Sequence, residues 1–135
     1  MSKHWATDLI GIQWSPERNC WWLVREAFRI RWGVELPHLG VGDLQAADSV
    51  AAIKTAATAA GIRPADGPAE EGDVVLCRDA IGKRHVGVMI EWRGKLELLH
   101  SDGHMTDRGP VGSVRHLPLG EATHLTDIEL WRRAV

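Results

Sequence analysis

Apolar positions in the first third of the chain recur at helical spacing. Cys20, Leu23, Val24, Ala27 and Phe28 follow the i, i+3, i+4, i+7, i+8 pattern of one buried face, while Arg25, Glu26, Arg29 and Arg31 fall outside it. Asn19 stands where a side-chain oxygen can accept the free N–H groups of a first turn, and Gly33 stands where a helix closes. Val34 to Pro37 read as an extended exit, because proline disfavours a helical residue before it. An alanine-rich second helix is predicted from a cap at Asp48 or Ser49 to about Ala60, closed by Gly61. Arg63 to Gly72 combine Pro, Gly and acids and read as a loop.

From Asp73 onward the period changes to that of strands. The predicted strands are Val74–Cys77, His85–Ile90, Leu96–His100, Val111–Leu117 and Ile128–Trp131. Helices first and strands afterwards predict an α+β domain, N-terminal helices packed on a five-stranded, mainly antiparallel sheet. With 135 residues there is room for one domain, taken as 1–135.

The hairpin after His85 sets a register. A loop over Glu91 to Gly94 pairs Ile90 with Lys95, so that His85 faces His100 across the ladder. Their face then carries Gly87, Met89, Leu96 and Leu98, and is expected to receive the Cys20 helix, with Gly87 allowing close approach. The other face carries Val86, Val88, Ile90 and Leu99 beside Lys95 and Glu97.

Composition narrows the chemistry. A net charge of -2 without a basic stripe excludes an electrostatic nucleic-acid binder. No run of about eighteen apolar residues predicts a membrane span, and the polar N-terminus lacks a secretion signal, so synthesis in the cytoplasm is expected. The seven Trp, against a single Phe and no Tyr, are more economically core than sugar-stacking surface.

Of two cysteines, Cys77 sits in an apolar strand pattern and reads as an inert core thiol. Cys20 differs, because a helix N-terminus stabilises a thiolate and offers N–H groups to an oxyanion. Taken alone, Cys20 is still better read as a small core residue. The paired His85 and His100 add a base and a group to orient it, and so suggest a nucleophilic site. A zinc site from Cys77, His85, His100 and His104 is the rival reading, but neither a Cys-x-x-Cys pair nor a His-Glu-x-x-His helix is present, and His104 and His116 read as surface residues. No cofactor is called for.

The ordered set of motifs resembles the NlpC-type cell-wall cysteine peptidases, a papain-like family. Gly11-Ile12-Gln13-Trp14, Asn19-Cys20-Trp21-Trp22-Leu23-Val24, Gly33-Val34-Glu35-Leu36-Pro37, Gly72-Asp73-Val74, His85-Val86-Gly87-Val88 and Leu99-His100-Ser101 follow the family order. The resemblance implies a papain-like fold and hydrolysis of amide bonds in peptidoglycan stem peptides. The implied catalytic residues are Cys20, His85 and His100, with Trp14, Asn19 and Trp21 around the oxyanion or substrate cleft. Trp14 stands where the family has Tyr, Asn19 where it has Asp, and Trp22 where it has Gly. The chain looks like the phage and prophage tail-associated branch, which implies tail components as partners and delivery to the wall by the virion. The alternatives are a tail-assembly protein that keeps the fold without activity, a CHAP-type amidase, and an amidase effector of a secretion system.

Overall fold

The computed structural model describes residues 3–39 and 49–134, with the backbone alone at 49 and 50. Helix α1 spans Cys20–Trp32 and α2 spans Ser49–Ala59. Six strands follow: β1 Ile62–Ala65, β2 Val74–Arg78, β3 Arg84–Trp92, β4 Lys95–Thr106, β5 Gly109–Leu117 and β6 Thr126–Arg133. They form one antiparallel sheet in the order β1-β6-β2-β3-β4-β5.

This corrects the expected papain-like fold of N-terminal helices on a five-stranded sheet: the sheet has six strands and is the larger part of the regular structure, beside two short helices. The extra strand, β1, lies where Pro, Gly and acids predicted a loop. It pairs only with β6, Ile62 opposite Arg133. Pro64, which lacks an N–H, is tolerated because β1 is an edge. The partner strand is at the far end of the sequence, so nothing local announced the pairing. Of the two predicted caps, Asp48 lies outside the described residues, and Ser49 is the first residue of α2, described by its backbone alone.

Helix α1 begins at Cys20 because Asn19 caps it, its Oδ1 accepting the Trp22 N–H at 3.0 Å. Its buried face, Leu23, Val24, Ala27 and Phe28, packs with Val86, Val88, Ile90 and Leu99 of the sheet. The other sheet face buries Val75, Cys77, Met89 and Leu98 under Ala122 and Leu125, next to the short 3-10 turn Leu119–Glu121.

The predicted assignment of faces is therefore reversed: α1 covers the Val86–Val88–Ile90 face, not the one that carries Gly87 and Met89. Both strips are apolar, so alternation alone did not choose between them. The fully buried Asp73 fixes the sheet's far side, its carboxylate taking two hydrogen bonds from Arg132 at 2.8 Å each.

Candidate functional site

The β3–β4 hairpin turns on two residues, Arg93 and Gly94, both with positive φ (52° and 82°), and pairs Trp92 with Lys95. This is a tight two-residue hairpin of the kind that matches strand twist, and it moves the predicted register by two residues. A shift of two preserves faces, so His85 and His100 still share one, now as diagonal neighbours. Gly87 lies level with His100: a Cβ there would come within 3.1 Å of the His100 Cβ and 2.7 Å of a Leu98 methyl. The glycine makes room for His100, not for a helix.

Pairing between β3 and β4 runs from Trp92–Lys95 to Val88–Leu99, although both strands continue. At this end of the ladder lies a cleft of about 370 Å³ whose wall holds Cys20, His85, Trp14, Asn19, Ser101 and Asp102. Ser101 Oγ donates to the Arg18 carbonyl at 3.3 Å, tying β4 to the segment that leads into Cys20.

Nε2 of His85 and Nδ1 of His100 are 2.8 Å apart and share one hydrogen bond, with the rings edge-on. Among the described residues, His85 Nδ1 has no hydrogen-bond partner, and no direct hydrogen bond joins the Cys20 thiol to His85. Backbone N–H groups of Val86, Trp21 and Cys20 itself are directed at the sulfur. Because Asn19 occupies the Trp22 N–H, the N–H groups of Cys20 and Trp21 are the first-turn donors left to the sulfur and the cleft.

Electrostatics correct the expectation of a low-pKa thiol. Burial pushes the Cys20 thiol up from 9.0, and outweighs the three backbone N–H groups and Lys83, which pull it down. The residue keeps some exposed surface and lines the cleft. Burial also lowers His85 from 6.5, against the opposing pull of Asp102 and Asp79. His100 falls to about 3, through burial first and its neighbour His85 second. The resting site is thus a neutral thiol beside two neutral imidazoles. Cys77 is pushed up to about 12, chiefly by burial, as fits an inert thiol.

The other predicted residues divide. Trp14 lies in the cleft wall against Gly103, where a Cβ would stand 2.5 Å from the Trp14 Cβ. Asn19 reaches the cleft, but its side chain is committed to the helix cap and, through Nδ2, to the Pro16 carbonyl at 3.0 Å. Trp21 does not line the cleft. It is 1% exposed and its indole donates to the Pro37 carbonyl at 2.9 Å, so only its backbone N–H faces the site. His104 is exposed at the cleft rim.

Among the described residues no cluster of three or more His, Cys, Asp or Glu is placed to hold a metal ion. Also among them, no helix is long and apolar enough to cross a membrane. The sequence reading missed Asp102 and Lys83. Asp102 was legible, since strand alternation from His100 puts it on the same face.

No family model matches the chain. Tail tip assembly protein K of Escherichia phage N15 is 33% identical over 99 residues, which cover 70% of this chain and 39% of that protein. The chain therefore spans about two fifths of the length of this curated relative.

Proposed function

We propose that this chain is a phage-tail-associated domain that hydrolyses peptide amides through Cys20, His85 and His100. The tail association is supported by the likeness to a tail tip assembly protein. The observation that carries the catalytic reading is the cleft lined by a helix-start thiol and by His85, whose Nε2 shares a hydrogen bond with His100. The ordered resemblance to cell-wall peptidases directs the choice of substrate, the stem peptides of peptidoglycan.

In this mechanism the thiol proton moves from Cys20 Sγ to His85 Nδ1 as the sulfur attacks the substrate carbonyl, so no standing thiolate is needed. For Nδ1 to act as the base, His85 Nε2–H donates to His100 Nδ1, which fixes the tautomer. The developing oxyanion is met by the free N–H groups of Cys20 and Trp21. His85 then gives its proton to the leaving amine, and water attacks the thioester with His85 again as base, which restores the thiol.

A second reading, assembly without catalysis, is favoured by the printed name of the relative. Complementation of a gene deletion with Cys20→Ala separates the two. The catalytic reading predicts tails that form but enter cells poorly. Full infectivity with the alanine variant supports the assembly reading and overturns the catalytic one.

A further inference from the structure

Resting on that catalytic reading, we propose that Asp102 is a positioning residue: its carboxylate is the counter-charge for the imidazolium that forms on the His85–His100 pair, set against the opposing positive charge of Arg115. Asp102 lies two residues beyond His100 in β4, on the same sheet face, and lines the cleft with Cys20 and His85. Same-face neighbours along a strand lie about 7 Å apart, close enough for a carboxylate to act on a buried ring.

Two further groups meet the same carboxylate. Arg115 Nη2 donates to Asp102 Oδ2 at 3.0 Å, and His124 Nε2 lies 3.9 Å from the same oxygen. Arg115 itself pairs with His100 across the β4–β5 ladder, and the His124 ring centroid is 6.3 Å from that of His100. The charged and titratable groups around the pair are thus Cys20 from α1, Cys77 from β2, and Asp79 and Lys83 from the β2–β3 turn. Beside these are Arg84 at the start of β3, Asp102 and His104 from β4, Arg115 and His116 from β5, and His124 before β6.

Of the two nearby acids, Asp79 is engaged in its own turn, its Oδ1 accepting the Ile81 and Lys83 N–H groups at 3.1 and 2.8 Å. The Asp102 carboxylate takes its hydrogen bond from the Arg115 side chain, and it opposes desolvation of both histidines, whereas Arg115 works against protonation of His100. When the thiol proton arrives on a ring this buried, a fixed negative charge is what lowers the cost of the cation.

The test is the midpoint at which the His85–His100 pair protonates, followed by NMR on the full chain. Asp102→Asn is expected to lower it and Arg115→Ala to raise it, each by about one unit, with Asp102→Glu close to the unsubstituted protein. The acid limb of hydrolysis is expected to move with the same signs. A purely structural role moves both variants in one direction; that result, or no shift in either, overturns the proposal. The titration is read on resting protein, so opposite shifts without any hydrolysis support the counter-charge assignment while refuting the proposed activity.

Discussion

At the scale of single residues, burial governs the site more than the helix terminus does. The N-terminal position of Cys20 suggested a depressed thiol, yet desolvation is the larger effect and lifts it above 9.0. A sequence shows that a cysteine begins a helix, but not how much protein closes around its sulfur. The consequence is measurable. Alkylation of Cys20 by iodoacetamide is expected to be slow at neutral pH and to climb through and beyond pH 9, because only the thiolate reacts. A rate already at its plateau near neutral pH would show a thiolate at rest and remove the concerted proton transfer.

At the scale of elements, α1 was legible from Asn19 to Gly33, since cap, periodicity and stop are all local signals. The same Asn19 that caps the helix leaves the Cys20 and Trp21 N–H groups open to the cleft. Asn19→Ala is expected to destabilise the protein by about 1 kcal/mol in urea unfolding, and an unchanged midpoint would deny the cap its role. The hairpin was legible only in part. Arg93-Gly94 was recognised as turn-forming, but a two-residue loop and a four-residue loop fit the same letters, and the choice fixes the register. The sharing of a face by His85 and His100 survived because the shift was even. The six-strand order and the strand β1 were not legible, because their partners are distant in sequence. Which strip α1 covers depends on Ala122 and Leu125 closing the other face, and that too is a long-range event.

At the scale of the whole molecule, two neutral histidines built into the sheet couple the site to stability. His100 titrates at about 3 when folded and near 6.5 when unfolded, so the unfolded chain binds more protons between those values. Its contribution is therefore fully present above about pH 6.5 and is lost as pH falls toward 3. Thermal unfolding is expected to shift to lower temperature across this window, and His100→Asn is expected to flatten that dependence. A Tm independent of pH over the window would contradict the buried neutral pair. The long β4–β5 hairpin and the β2–β3 turn flank the cleft, so the sheet that stabilises the domain also shapes the space in which a peptide would bind.

The central claim is that the cleft breaks amide bonds through the Cys20 sulfur. It is tested most directly by incubating purified peptidoglycan sacculi with the full chain and with Cys20→Ala, and following released peptides and new amino termini by mass spectrometry. The account predicts release by the unsubstituted protein and a fall of at least about 10³-fold in the variant, as expected when a nucleophile is removed from a cooperating set. Equal release by the two proteins, or none by either, would contradict it.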